Sequence, residues 1–194
     1  MSEPRSQPSP RRQNQRLHHG RLSNQGAAYF ITLVTRSRQA WLSDAIARDT
    51  LLTAFQRWHD ENDGRVLCAT VMPDHAHVLV ELGRHHTIGR LVARWKAEVT
   101  RSVGLDTPWQ RDFWEHRLRD EESVEDYGLY VLLNPYRAKL CAADAPWPGW
   151  WLASPEVFRF AQALAGEGVP PVEWQGWGEE RFAGLATRSN PDCG

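Results

Sequence analysis

Two histidines one residue apart open an apolar, β-branched run in Val71-Met72-Pro73-Asp74-His75-Ala76-His77-Val78-Leu79-Val80, and no other stretch constrains the chain as tightly. Such a run favours a strand, where positions i and i+2 point to the same face. Both imidazoles then project from one side of a sheet, a few ångströms apart, on rigid backbone. Two neutral imidazoles so placed make half of a divalent-metal site. The Pro73-Asp74 pair before them predicts a tight turn, so the strand is expected to close a hairpin with the preceding apolar run.

The preceding run, Val66 to Met72, is the second predicted strand, and His75 to Leu82 is the third. Tyr29-Phe30-Ile31-Thr32-Leu33-Val34-Thr35 is a strand by its β-branched and aromatic content. Between them, Ser43-Asp44 starts a helix in which Ile46, Leu51, Leu52, Phe55 and Trp58 recur at helical spacing. Asp63-Gly64 is a turn. A second helix runs from the N-cap Thr87 to about Val103, ended by Gly104, with Ile88, Leu91, Val92, Trp95 and Val99 on one face. Residues 108–119 alternate loosely and predict an edge strand or extended loop. Ser123 begins a third helix that runs through Tyr127 and Tyr130 to Asn134, where Pro135 is expected to perturb or end it.

The order β-α-β-β-α-β plus a further helix matches a ferredoxin-like antiparallel sheet of the α+β class, with the two histidines on a central strand and helices packed on the sheet. The expected organisation is a flexible basic arm over 1–25, a catalytic domain over 26–142, a Trp-rich C-terminal appendage over 143–185 and a loose tail over 186–194. Ten tryptophans are unusual for 194 residues. Core packing accounts for most of them, and flat rings for base stacking are the functional reading.

The net charge of −1 announces no polyanion partner, but the arm is locally basic, with Arg5, Arg11, Arg12, Arg16 and Arg21 against Glu3. That fits a polyanion partner and equally a merely soluble tail. Three scattered cysteines exclude a disulfide framework and a zinc ribbon, and suit a reducing, cytoplasmic compartment. No apolar run is long enough to span a bilayer, and no apolar leader is apparent.

Two histidines alone hold a metal weakly, so a third ligand should come from elsewhere. Tyr130 and Asn134 lie four apart on one helix face. The amide oxygen of Asn134 suits magnesium or manganese, and the Tyr130 phenol would lie one turn away. If that face meets the histidine face, the set suits attack on a phosphodiester and a covalent phosphotyrosine that conserves bond energy for strand transfer. Tyr127 and Tyr136 compete as nucleophiles. Arg90, Arg94 and Arg101 form a basic stripe that is either a solvated face or a set of phosphate contacts. Trp109, Arg111 and Arg119 belong to an aromatic, basic segment suited to single-stranded nucleic acid.

Taken together, Tyr29-Phe30-Ile31-Thr32, the Met72–Val80 run, Trp109-Gln110-Arg111-Asp112-Phe113-Trp114-Glu115-His116 and Tyr130-Val131-Leu132-Leu133-Asn134-Pro135-Tyr136-Arg137-Ala138 resemble the one-tyrosine HUH transposases, most closely the REP-associated tyrosine transposases. The likeness covers about residues 25–142. It implies an HUH endonuclease core in which His75 and His77 are the metal pair, Tyr130 the catalytic tyrosine and Asn134 the third ligand. It also implies Mg2+ or Mn2+, cleavage of single-stranded DNA beside hairpins of repetitive palindromes, a 5′-phosphotyrosine link, and a monomer or homodimer. Lys139 stands where the family often has glycine, which bears on how the tyrosine helix ends. Against this enzyme stands a nucleic-acid-binding regulator that keeps the fold without catalysis. A replication nickase would need further domains, and a hydrolytic zinc enzyme would leave Tyr130 and Asn134 unexplained.

Overall fold

The structure is a computed structural model describing residues 23–61, 64–106, 108–177 and 181–182. Most of the basic arm, Asp63 of the first turn and the tail at 186–194 lie outside the described residues. The strands are β1 (Ala28–Val34), β2 (Gly64–Val71), β3 (His75–Leu82), β4 (Trp114–Arg117) and β5 (Trp150–Leu152). The main helices are α1 (Ala45–Asp60), α2 (Ile88–Val103) and α3 (Val124–Arg137). The strands form one antiparallel sheet in the order β4-β1-β3-β2-β5, so the histidine strand β3 is central.

The sheet is covered on both faces, and the alternation of side chains sorts the core into two layers. Tyr29, Ile31, Leu33, Ala76, Val78 and Val80 pack with Leu51, Phe55 and Trp58 of α1 and Leu91, Val92 and Trp95 of α2. On the other face, Phe30 and Leu79 pack with Tyr127, Tyr130, Val131 and Leu133 of α3 and with Phe158 and Phe160 of the C-terminal segment. A β-bulge between Val66 and Cys68 inserts Leu67 into β2, and Leu67 and Cys68 both join the α3 layer.

The helices begin where short polar side chains can satisfy their first amides. Asp44 accepts from Ala47 N–H, Thr87 from Arg90 N–H and Ser123 from Asp126 N–H. Gly104 closes α2 in the left-handed region at φ 64°. Residues 114–117 of the expected edge segment pair with β1 as the edge strand β4.

Two expectations need revision. Pro135 does not end α3, which continues to Arg137 and closes with Ala138 N–H donating to Asn134 C=O. The proline removes one hydrogen bond near the last turn, while Pro135 and Tyr136 are themselves buried. That burial, with the Tyr136 hydroxyl donating to Ala145 C=O at 3.0 Å, holds the turn in place. Residues 150–152, within the stretch expected as an appendage, form the fifth strand of the sheet. Trp150 and Trp151 alternate across it, one packed in each layer.

Gly128 marks the closest approach of α3 to the C-terminal segment. A Cβ there would overlap the ring of Phe158 and come within 2.9 Å of the Phe160 ring. Relieving a mid-helix glycine normally gains about 1 kcal/mol. Overpacking a buried site costs roughly 1–3 kcal/mol. Gly128→Ala should therefore lower the melting temperature; a rise would show that the Phe158 ring yields freely.

Candidate active site

The turn that presents the histidines is closed by Met72 N–H donating to His75 C=O at 2.8 Å. It is tied to the end of β1, where Thr35 donates both its N–H and its hydroxyl to Asp74 C=O at 2.9 Å. The imidazoles of His75 and His77 project from the α3 face with ring centroids 4.7 Å apart and planes at 76°.

Each Nδ1 has a partner. His75 Nδ1 lies 2.6 Å from Asp74 Oδ1, and His77 Nδ1 lies 3.0 Å from Thr32 Oγ1. Thr32 is His77's cross-strand neighbour in the β1–β3 register. Donation of Nδ1–H to these oxygens would leave the Nε2 lone pair free on each ring, the tautomer a metal ligand requires. The hydrogen bond from His75, with Arg38 3.1 Å away on the other oxygen, outweighs burial and pulls Asp74 down to about 2. Burial and the neighbouring His75 hold His77 well below the ordinary imidazole range, so it is neutral.

α3 brings Tyr130 onto this pair. Its ring lies 5.5 Å from the His77 ring and 5.7 Å edge-on to Phe30. Phe182 and the Arg137 guanidinium complete the surroundings at 5.9 and 5.8 Å, leaving the residue 6% exposed. Asn134 follows one turn later, half-buried. The competing tyrosines are occupied elsewhere. Burial pushes Tyr127 up to about 12, and its hydroxyl faces Glu122; burial likewise lifts Tyr136 to about 12.

Among the described residues, no three His, Cys, Asp or Glu side chains are grouped to hold a metal ion. Two imidazole nitrogens on β3 and an amide oxygen on the adjoining α3 are donor types that a divalent ion accepts.

The other candidates do not gather here. Arg90, Arg94 and Arg101 lie on α2, across the sheet from Tyr130. Arg94 is paired with Glu61 through two contacts of 2.6 Å, and Arg101 Nε donates to Ala97 C=O of its own helix. Trp109 is only 8% exposed, edge-on to Trp41, with its indole N–H donating to Lys96 C=O; a buried ring offers no face for a base, which corrects the stacking expectation. Arg111 and Arg119 are exposed on either side of β4. Asp74, Thr32 and Arg38 escaped the sequence reading. An acid beside a histidine pair was an available signal for Asp74, whereas Thr32 needed the strand register.

With this geometry in hand, comparison with known proteins places the chain. It belongs to the family described as IS200-like transposases, whose model matches residues 23–120, more than half of the chain. It is similar to the REP-associated tyrosine transposase of Escherichia coli K12, 23% identical over 154 residues that cover 78% of this chain and 86% of the relative. A Haemophilus influenzae protein provisionally named a REP-associated tyrosine transposase is 24% identical, over 63% of this chain and 78% of that one. Among solved structures, a REP-associated tyrosine transposase bound to a REP hairpin shares the fold, with a TM-score of 0.62 and 22% identity over 82% of this chain and 92% of the other. No helix among the described residues is long and apolar enough to cross a membrane.

The neutral state of His77 has a measurable consequence. In the unfolded chain it takes up a proton below about 6.5, whereas the folded chain resists. Lowering the pH through 6.5 therefore favours unfolding, and the loss continues until the folded value is reached. Asp74 acts in a lower window, between its ordinary 3.8 and about 2, where protonation breaks its pairing. The melting temperature should fall between pH 7 and pH 5.5, and His77→Gln should flatten that fall; an equal slope in the variant would contradict the assignment.

Proposed function

We propose that this chain cuts and rejoins single-stranded DNA beside hairpins of repetitive palindromes, with Tyr130 as nucleophile. The observation that carries the proposal is the seating of the Tyr130 ring against His77, in the layer between β3 and α3. The hairpin as substrate extends what the solved relative was bound to. A DNA substrate and three cysteines without a disulfide framework suit the cytoplasm, with the chain acting as a monomer or homodimer.

His75 and His77 would hold a magnesium or manganese ion through Nε2, with the Asn134 amide oxygen as third protein ligand. When bound, such an ion polarises the scissile phosphate and offsets its charge. The rest falls to the chain. Asp74 and Thr32 fix the imidazole tautomers and ring planes. Arg38 keeps Asp74 ionised and oriented. The Tyr130 oxygen attacks phosphorus in line, giving up its proton. The tyrosine–phosphorus bond forms as the bond to the 3′ oxygen breaks, leaving a free 3′ hydroxyl and a 5′-phosphotyrosine. Attack by another 3′ hydroxyl reverses the step, restoring the phenol and joining the strands. No water needs to enter, which separates transfer from hydrolysis.

One observation favours the second reading, a nucleic-acid-binding regulator: Tyr130 is nearly buried, with Phe182 against its ring. The two readings part on a single measurement. Incubation with a single-stranded hairpin oligonucleotide and manganese should give a species that survives denaturation and maps to Tyr130 by mass spectrometry. Tyr130→Phe and chelation should abolish it, while Tyr127→Phe and Tyr136→Phe should retain it. Hairpin binding that ignores chelation and yields no adduct would establish the regulator instead.

The imidazole partners supply an independent check. Replacing an outer-shell group commonly costs about 10–100-fold in metal affinity. Asp74→Asn should weaken manganese binding by that factor in calorimetric titration, and unchanged affinity would remove Asp74 from the site.

A further inference from the structure

A second, half-buried polar cluster lies at the root of α3, and the proposed chemistry does not use it. Glu122 immediately precedes the capping Ser123 and gathers donors from three pieces of chain. His116 of β4 places Nε2 at 2.7 and 2.9 Å from its two oxygens. Arg119, in the turn between, donates its N–H at 2.8 Å. Tyr127, inside α3, donates its hydroxyl at 3.4 Å. The His116 and Glu122 side chains are only 15% and 13% exposed. A carboxylate so largely withdrawn from water is tolerated because its oxygens are satisfied.

This cluster is continuous with the candidate active site. The His116 ring is stacked between Trp114, at 5.9 Å and 14°, and Tyr127, at 5.8 Å and 18°. Tyr127 touches Phe30 at 5.3 Å, and Phe30 touches both Tyr130 and His77. His116 is the cross-strand neighbour of Phe30 and shares its face of the sheet. Tyr127, Tyr130 and Asn134, at spacings of three and four, lie along one face of α3.

We infer that His116 is a positioning residue for Tyr130: with Glu122 it fixes the rotation of α3 about its axis, and so the place of the Tyr130 ring against His77. Most contacts between α3 and the sheet are apolar and non-directional, and they tolerate small rotations. The bonds to Glu122 are directional, and they fix Tyr127 one turn before Tyr130. A displacement of about 1 Å at a nucleophile can cost roughly a hundredfold in rate. The effect on rate rests on Tyr130 being the nucleophile; the effect on its position does not.

The test separates the two. His116→Leu removes the donor, His116→Gln keeps a side-chain N–H donor, and Glu122→Gln removes the charge at constant volume. All are studied in the full chain, well below their melting temperatures. His116→Leu and Glu122→Gln should each slow adduct formation by about tenfold to a hundredfold with the hairpin Kd unchanged. Their combination should add little, and His116→Gln should recover most of the rate. In protein labelled with 3-fluorotyrosine, the four tyrosines give four resolvable 19F signals. The Tyr130 signal should move in His116→Leu and stay near its place in His116→Gln. Should His116→Leu fail to fold, Glu122→Gln carries both readouts. If wild-type protein forms no adduct but the Tyr130 signal responds as described, the transfer reaction falls and the positioning role stands. A Tyr130 signal and a rate that match wild type in both variants, even with a lowered melting temperature, would make the pair merely structural and overturn the inference.

Discussion

The pairing of β1 with β3 is the constraint on which the rest of the structure depends. It sets Thr32 opposite His77 and Val34 opposite His75, and carries Thr35 onto the Asp74 carbonyl. A slip of one residue would turn every side chain of β3 to the other face, placing histidines among Leu51, Phe55 and Trp95 and valines against α3. Both faces of β3 are buried, so no such slip is tolerated. The imidazoles stand in one orientation because the sheet has only one register that buries its apolar residues.

The second requirement is that α3 lie on the histidine face. The chain meets it through size. Gly128 admits the Phe158 ring against the helix, which lets the C-terminal segment close over α3 while the helix rests on Phe30 and Leu79. The late proline is absorbed for the same reason. One lost hydrogen bond near the end of the helix weighs less than the burial of Pro135, Tyr136 and Leu133. The segment after α3 is thus part of the architecture that seats Tyr130, with β5 extending the sheet and Phe158 and Phe160 filling the layer.

Much of this was legible in residue patterns. The β-branched and aromatic runs at 29–35, 66–72 and 75–82 mark strands, in which side chains repeat with a period of two. The Thr87 and Ser123 caps mark helix starts because their hydroxyls can reach the exposed amides. The His75/His77 pair and the Tyr130/Asn134 face follow from the same periodicities. What could not be read depends on contacts between distant segments. The threonine that faces His77 is known only once β1 and β3 are in register. Trp109 looked like a stacking platform because composition cannot tell a ring that packs against Trp41 from one that faces solvent. Arg94 could be read as a solvated side chain or a phosphate contact, and its pairing was hidden because Glu61 lies 33 residues away. Trp150 and Trp151 are too short a strand for periodicity to register.

The charge around Tyr130 bears on which chemistry the site can support. His77 is neutral, Asn134 is uncharged, and Asp74 is anionic down to about 2. Arg38 is committed to Asp74, and Arg137 stacks on the rings of Tyr130 and Phe182. The arginines of α2 are across the sheet, and Arg94 is balanced by acids. Apart from the Arg137 guanidinium over the Tyr130 ring, the described residues named here bring no uncompensated positive charge to an incoming phosphodiester. Two lone pairs on adjacent Nε2 atoms are what a cation would use, and Asp74 orients the ring that carries one of them. A divalent ion held there, as proposed, would add the positive charge that a phosphodiester needs beside the phenol, and the contact of the Tyr130 ring with His77 joins the histidine pair, its two oxygen partners and the tyrosine in one layer.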